Sequence, residues 1–205
     1  MYWQGVKKQI VPRPYTQSAA LGDIDPLLQR IFTSRGIKTA IELETGLNRL
    51  PSPWLLKGMR EMVDCLVAAL TSRKNICIVA DFDADGATSC ALAVKGLTLL
   101  GGKRPQFITP NRFTLGYGLT PEIVALVKQK NVDIILTVDN GISSISGVAA
   151  AKSLGMQVLI TDHHLPGDVL PAADAIVNPN LAGDNFPSRN TVSYTHLTLP
   201  TNREV

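Results

Sequence analysis

Three aspartates stand at alternate positions in one short stretch of the chain. Asp81, Asp83 and Asp85 lie within DFDADGAT (residues 81–88), directly after the apolar run ICIVA (76–80). Neighbouring carboxylates repel one another, and the repulsion costs free energy unless a cation lies among them. The cluster is therefore tolerable either as a solvated acidic loop or as the site of a divalent cation, which prefers carboxylate oxygens.

Two motif-based interpretations of this stretch can be weighed from the sequence. A helix–loop–helix calcium site needs a glutamate at its twelfth position, where this chain has Leu92, and it needs two flanking helices. Those mismatches exclude it. A phosphatase with Asp83 as nucleophile and Asp85 as acid is a weaker alternative, because it leaves the later polar motifs of the chain without roles.

The elements around the stretch alternate between apolar strands and helices. Strands are predicted at 75–80, 105–110, 132–138, 157–161 and 175–179, and helices at 56–72, 87–100, 120–130 and 144–154. This alternation favours an α/β fold, a parallel Rossmann-like sheet with helices on both faces. The predicted organisation is an irregular and helical N-terminal segment (1–72), the sheet domain (73–188) and a tail (189–205).

Polar side chains follow four of the predicted strands, at the edge where open α/β sheets bind ligands. They are Asp81, Asp83 and Asp85, then Asn111 and Arg112 leading into GYGL (116–119), then Asp139 and Asn140, then Asp162, His163 and His164. Each alone has an ordinary explanation as a turn, helix cap or surface charge. Their predicted co-location indicates a site, and carboxylates with imidazole suit Mn, Fe or Zn better than Ca.

The composition is that of an ordinary globular protein. The 205 residues are 45% hydrophobic and 18% charged, and the net charge of +3 is too small to indicate nucleic-acid binding by itself. Cys65, Cys77 and Cys90 are far apart and form no CxxC pair, which is typical of free thiols in a reducing compartment. Without a secretory signal or an apolar run of about 20 residues, the expected location is cytoplasmic, with no membrane partner.

The polar motifs, in their order, resemble those of the DHH phosphoesterase family, and within it the branch of exonucleases specific for single-stranded DNA. The stretches that carry the resemblance are DFDADGAT, PNRFTLGYGL (110–119), TVDNGIS (137–143), TDHHLPGD (161–168) and IVNPN (176–180). The resemblance covers about residues 15–188. It implies 5′→3′ hydrolysis of single-stranded DNA with Mn²⁺ or Mg²⁺, a role in recombination and repair, and other repair proteins as partners.

The resemblance also implies a two-metal site. Asp83 and Asp85 resemble paired metal ligands, Asp139 resembles the carboxylate that bridges the metals, and His163 resembles a further ligand. Asp81 occupies a place where many relatives have a histidine, and it is expected to bind metal as well. Two such metals, roughly 3.5–4 Å apart, would activate water and stabilise the leaving oxygen of a phosphodiester.

Further polar residues are expected around the metals. By the same resemblance, His164 joins the catalytic set and faces the substrate phosphate, and Asp162 orients its neighbours. Asn111 and Arg112 are expected to hold a phosphate, since the arginine fork suits two oxygens.

The resemblance stops near Ser188, where the family continues into a further aspartate ligand, a second domain and an OB-type DNA-binding domain. The stretch TVSYTHLTLPTNREV (191–205) is unrelated to that continuation, so residues 189–205 are predicted to be a non-native tail and His196 is not counted as a ligand. The chain alone is expected to be a weak or inactive nuclease. The alternatives are an inactive metal- or DNA-binding remnant and a phosphodiesterase or pyrophosphatase for small phosphates.

Overall fold

The structure, a computed structural model, describes residues 10–14, 21–44, 46 and 50–187, and the predicted tail lies outside them. The chain divides into two compact units, Met1–Leu50 and Pro51–Val205. In the first unit, helix α1 (Pro26–Ser34) begins after Asp25, whose side chain accepts a hydrogen bond from the Leu27 backbone N–H at 2.8 Å. A turn of 3-10 helix follows at Ala40–Leu43.

The second unit is built on one five-stranded parallel sheet. Its strands are β1 (Ile76–Ala80), β2 (Gln106–Ile108), β3 (Ile134–Val138), β4 (Gln157–Thr161) and β5 (Ala175–Val177). They lie in the order β2-β1-β3-β4-β5, and every neighbouring pair is parallel. The predicted parallel α/β fold is confirmed, and the predicted bounds of β4 are the observed ones.

Helices cover both faces of this sheet. They are α2 (Met59–Thr71), α3 (Ala84–Leu99), the single turn α4 (Arg112–Leu115), α5 (Pro121–Lys128) and α6 (Ile145–Ser153). Alternate residues of β1 point to opposite faces: Ile78 packs in a cluster with α2 and α3, whereas Cys77 and Val79 pack with α5 and α6. Burial on both faces explains why the strands are apolar throughout rather than alternating. No helix in the described residues is both long and apolar enough to cross a membrane.

Helix α2 belongs to the sheet unit, although the sequence placed residues up to 72 in the N-terminal segment. Its apolar face buries Met62 and Ala69 in the same cluster as residues of β1, β3 and β5. A helical periodicity shows that one face is buried but not what it is buried against. The compact sheet unit of the structure accordingly starts at Pro51.

Helix α3 begins at Ala84, three residues before its predicted start, because the Asp83 side chain caps it. Oδ1 of Asp83 accepts a hydrogen bond from the Gly86 backbone N–H at 3.1 Å. Gly86 lies so close to Asp81 that a β-carbon would collide with the Asp81 carbonyl group. A glycine is therefore needed for the first turn of α3 to reach the end of β1.

Candidate metal centre

The carboxyl ends of β1, β3 and β4 lie side by side and position the candidate ligands. Asp81 follows β1, Asp139 follows β3, and His163 comes two residues after β4. Backbone hydrogen bonds extend the sheet one residue further, from Asp81 N–H to the Val138 carbonyl (3.3 Å) and from Asp139 N–H to the Thr161 carbonyl (3.0 Å). The ligand-bearing residues thus stand on the sheet rather than on free loops.

Three carboxylates converge at this edge. Asp81, Asp83 and Asp139 each offer one oxygen, and these oxygens lie within 4.8 Å of one another. Asp81 and Asp139 are buried, with exposed fractions of 9% and 2%, whereas Asp83 is exposed. Carboxylates this close repel one another, so the arrangement favours a bound cation over a cluster of bare charges.

An imidazole completes the cluster. Nε2 of His163 lies 2.8 Å from Oδ1 of Asp139, and the ring nitrogens of His163 and His164 form a second group with Asp139, again within 4.8 Å. Burial raises the pKa of Asp139 to about 6, with the negative charge of Asp83 adding to the effect and His163 opposing it. A positive ion among these groups would relieve the cost of keeping Asp139 charged.

The turn after β3 has an unusual backbone. Asp139 has φ +62°, in the left-handed region that few residues other than glycine occupy, and Gly141 has φ +115°. A β-carbon on Gly141 would stand 2.5 Å from Oγ1 of Thr137. The Asn140 side chain, which the sequence placed at the ligand-binding edge of the sheet, holds the turn by donating from Nδ2 to the carbonyls of Val79 and Val138 at 3.0 and 2.9 Å.

Asp162 organises the loop after β4. Its Oδ1 accepts hydrogen bonds from the backbone N–H groups of His163 (2.7 Å) and His164 (3.1 Å) and contacts Nδ1 of His164 at 2.7 Å. Its Oδ2 accepts from the Ile142 N–H at 2.9 Å, in the turn after β3. Burial lowers the pKa of His164, but the hydrogen bond and charge of Asp162 outweigh it and raise the pKa overall. The buried carboxylate therefore orients His164.

Two asparagines hold the backbone of the two histidines, and the sequence indicated no role for either asparagine. Nδ2 of Asn178 donates to the His164 carbonyl at 2.9 Å, and Nδ2 of Asn180 donates to the His163 carbonyl at 2.6 Å. The Asn180 N–H also donates to Oδ1 of Asn178 at 2.8 Å. The stretch IVNPN could have indicated these roles, because it places both amides just after β5, the strand next to β4 in the sheet.

A cleft of about 480 Å³ opens beside the carboxylates. Its lining residues are Asp81, Asp83, Tyr117, Ile142, Ser143, Asp162, His164 and Leu165. The hydroxyl of Tyr117, from the GYGL turn, lies 3.4 Å from Nε2 of His164, and the two rings meet edge to face with centroids 5.9 Å apart. An aromatic ring and an imidazole thus form one wall of the cleft.

Two predicted site residues, Asp85 and Asn111, are not brought into these groups. Asp85 is the second residue of α3, half-buried, and belongs to neither candidate metal group of the described residues. Asn111 is exposed, and its side chain caps α4 by accepting a hydrogen bond from the Phe113 N–H at 2.9 Å. Arg112 is the first residue of α4, but its side chain lies outside the described part of the chain.

The sequence of the sheet unit matches a known family. The pattern of the DHH family, N-terminal domain, matches residues 75–204, which includes most of the predicted tail. This chain belongs to the DHH family. Its candidate metal centre therefore lies in a DHH domain, on the sheet that the family resemblance predicted.

Relatives of this DHH domain are single-stranded-DNA-specific exonucleases. RecJ of Salmonella typhimurium is 48% identical over 186 residues, which cover 90% of this chain and 32% of the relative. The chain thus spans about a third of the length of the curated relatives it matches. The predicted resemblance to this branch of the family is confirmed.

Two solved structures are similar to the DHH domain. One is an exonuclease RecJ bound to manganese, with a TM-score of 0.60 and 35% identity over 73% of this chain and 37% of that one. The other is RecJ from Thermus thermophilus in complex with Mn²⁺, with a TM-score of 0.64 and 31% identity over 88% of this chain and 25% of that one.

The residues present here fit a divalent cation. Asp81, Asp83 and Asp139 supply oxygen donors and His163 supplies an imidazole nitrogen. This mixed set suits Mn²⁺, and the carboxylates alone suit Mg²⁺. The hydrogen bonds to Asp162 and Asn180 fix the loop that carries His163, as residues around a metal site commonly do for its ligands.

Proposed function

We propose that this chain carries the metal centre of a 5′→3′ exonuclease that hydrolyses phosphodiester bonds of single-stranded DNA with Mn²⁺ or Mg²⁺. The observation that carries the proposal is the convergence of Asp81, Asp83, Asp139 and His163 at one sheet edge, in a chain 48% identical to an exonuclease of this specificity. A role in DNA recombination and repair follows from that substrate.

Five side chains are proposed to hold the metal, and four of them, Asp81, Asp83, Asp139 and His163, occur in the two groups of ligand atoms. Asp139 would contribute a buried carboxylate from the end of β3, the strand between β1 and β4. It belongs both to the carboxylate group with Asp81 and Asp83 and to the group that contains His163. Bound divalent cations would lower the pKa of water and stabilise negative charge on the phosphate oxygens. Asp85 stays a proposed ligand, although it stands on α3 and belongs to neither group of ligand atoms.

His164 is proposed to contact the substrate phosphate. Its Nδ1 is engaged with the buried Asp162, which orients the ring, and the hydroxyl of Tyr117 lies 3.4 Å from each of the two ring nitrogens. The ring lines the cleft next to Asp81 and Asp83. A phosphate in the cleft would therefore lie between the carboxylate group and this imidazole.

Asn111 and Arg112 are proposed to hold a further phosphate of the DNA strand. Both stand at the start of α4, which leads directly into the glycine turn that carries Tyr117. The amide of Asn111 accepts a bond from its own helix, which leaves its Nδ2 atom to donate. The arginine fork is the better anion ligand of the two.

The phosphatase alternative has less support. A covalent aspartyl-phosphate mechanism needs Asp83 and Asp85 to share one reaction centre. In the structure Asp83 groups instead with Asp81 and Asp139, while Asp85 lies in the first turn of α3. The contact between His163 and Asp139 would also have no purpose in such an enzyme.

A graft would test the proposal. The segment of Salmonella RecJ that aligns with this chain is replaced by the sequence of this chain, and release of nucleotides from 5′-labelled single-stranded DNA is measured with Mn²⁺. We expect the graft to be active and the same graft with Asp139→Asn to be inactive. A folded graft that binds Mn²⁺ but releases no nucleotide would overturn the proposed activity. The 205-residue chain is assayed in parallel, with weak or no release expected.

We further propose a cytoplasmic location and contacts with other DNA-repair proteins. The location is supported by three free thiols, Cys65, Cys77 and Cys90, since disulfides are rare where thiols are kept reduced. The proposed partners rest on the repair role alone. Fractionation of cells that express a tagged chain, followed by cross-linking on damaged DNA, would test both.

A further inference from the structure

The opposite edge of the sheet, where the strands begin, is strongly basic. Six exposed cations lie at the entries to β2, β1 and β3, which are neighbours in the sheet. They are Arg73, Lys74, Lys103, Arg104, Lys128 and Lys130, and we call this surface the basic edge. Because the three strands are parallel and adjacent, their entry segments lie on the same side of the molecule.

Side-chain hydrogen bonds join these entry segments. Nζ of Lys103, before β2, donates to Oδ1 of Asn75, before β1, at 3.1 Å. Nδ2 of Asn75 donates to the carbonyl of Asn131, before β3, at 3.0 Å. Nε2 of Gln106 donates to the carbonyl of Lys130 at 3.1 Å. The basic edge is therefore one connected surface and not a set of scattered charges.

The positive charge of the basic edge is mostly uncompensated. Across the described part of the chain, one carboxylate forms a salt bridge with these cations, Asp133 with Lys74 at 3.7 Å. Nζ of Lys128 donates to a neutral group, the Leu154 carbonyl, at 3.4 Å. Six cations against one acid leave an excess of five charges, although the formal net charge of the whole chain is only +3. The rest of the chain is thus net negative.

We propose that the basic edge binds the phosphodiester backbone of a nucleic-acid strand at a second place, away from the metal centre. A row of six exposed cations with one acid, Asp133, among them fits a polyanion, which lysines and arginines bind with release of counterions. The five residues of β1 separate the two edges by roughly 17 Å, at about 3.3 Å per residue. A single phosphate group therefore cannot contact both the basic edge and the metal centre. The choice of nucleic acid as the polyanion rests on the proposed function.

Fluorescence anisotropy tests this surface directly. The 205-residue chain is titrated into labelled oligothymidylate in EDTA at several NaCl concentrations, so that neither metal binding nor hydrolysis contributes. The variant Lys103→Gln/Arg104→Gln/Lys130→Gln should bind at least about tenfold more weakly at low salt. Its slope of log K against log [salt] should shrink by about 2, since each phosphate contact on a single strand contributes about 0.7.

A matched control variant removes the same amount of positive charge from residues outside the basic edge. Arg35→Gln/Lys38→Gln/Lys95→Gln also neutralises three exposed cations and should retain the original affinity and salt slope. An equal loss in both variants, or no DNA binding by the unchanged chain, would overturn the proposal. Equal competition by polyglutamate would also overturn it and indicate an acidic protein ligand. None of these outcomes bears on metal-dependent hydrolysis, because no metal is present.

Discussion

Nε2 of His163 lies 2.8 Å from Oδ1 of Asp139, across the adjacent ends of β4 and β3. Without a cation, this contact gives the buried Asp139 its nearest polar partner from another strand. Both atoms also belong to the candidate ligand set. The hydrogen bond therefore keeps the two groups within reach of a common ion before any ion is bound.

Replacement of Asp139 should separate metal binding from folding. Asp139→Asn should weaken Mn²⁺ binding by more than roughly 100-fold, beyond the 10–100-fold typical of residues that only orient ligands. Because burial raises the pKa of Asp139 to about 6, its charge is unfavourable without metal, so a neutral amide there should not lower the Tm in EDTA. Titration calorimetry and scanning calorimetry measure the two quantities. Asp133→Asn, at the basic edge, is the control, and an unchanged Mn²⁺ affinity in Asp139→Asn would contradict the assignment.

Bound metal should stabilise the fold. Mn²⁺ at 100 times its Kd should add about 2.7 kcal/mol to the free energy of unfolding, since it binds the native arrangement of ligands and not the unfolded chain. Urea denaturation with Mn²⁺ and with EDTA measures the difference. Asp83→Asn should lose most of this gain, while its amide oxygen can still cap α3 at Gly86. A full gain in that variant would remove Asp83 from the ligand set.

Asp162 should be important for stability even without metal. Its two oxygens accept bonds from three backbone N–H groups and contact Nδ1 of His164. Asp162→Asn places an amide NH₂ against one of these donors in either orientation, at a cost of about 3 kcal/mol in the free energy of unfolding. Urea denaturation in EDTA measures the loss. A cost below about 1 kcal/mol would mean that the loop is held by other contacts.

Asn178 and Asn180 should act as positioning residues for the histidines. Removal of either amide leaves a histidine carbonyl without its side-chain donor, so Asn178→Ala and Asn180→Ala should weaken Mn²⁺ binding roughly tenfold. Titration calorimetry on the folded variants measures this. Asp184→Asn is the control, because Asp184 anchors the same segment to Lys57 away from the histidines. The Asp184→Asn variant should be less stable than the unchanged chain but should bind Mn²⁺ with the same affinity. Equal Mn²⁺ affinity in all three variants would refute the positioning role of Asn178 and Asn180.

Two glycines of α3 should respond in opposite directions to alanine. Gly86→Ala places a methyl group against the Asp81 backbone, whereas a β-carbon at Gly96 meets nothing within 4 Å. Gly96→Ala should therefore stabilise the fold by about 0.5–1 kcal/mol through helix propensity. Gly86→Ala should destabilise it and weaken Mn²⁺ binding, since α3 must shift away from Asp81. Chemical denaturation and calorimetry compare the pair. Similar effects at the two sites would show that α3 does not need its close approach to β1.

The sequence predicted the parallel sheet because its apolar strands alternate with helices that are marked by cap residues, by a proline in the first turn or by a closing glycine. The strand order could not be predicted, since hydrophobic patterns do not indicate which strands are neighbours in the sheet. The start of α3 was missed for a local reason: the Asp83 side chain begins the helix before its apolar face appears. The packing of α2 against the sheet was also not predicted, because a local sequence pattern does not show which element a helix packs against.

At the site, the residue types indicated metal binding, but the sequence did not predict how their side chains are oriented. The family resemblance implied that Asp85 and Asp83 are paired ligands. Because α3 has already begun at Ala84, the chain turns by about 100° per residue there and carries Asp85 away from the group. Asn178 and Asn180 were missed because their amides act on backbone carbonyls, a contact that leaves no spacing pattern in the sequence.

The order of the strands in the chain has a consequence for synthesis on the ribosome. Eighty residues are added between Asp83 and His163, which takes about 4–16 s at 5–20 residues per second. During the first part of that interval the aspartates after β1 have no β3 beside them, and throughout it His163 is missing, so water must solvate their charges. The metal centre is thus among the last parts of the nascent sheet to form, and a ribosome-bound chain acquires its ion only after β4 has emerged.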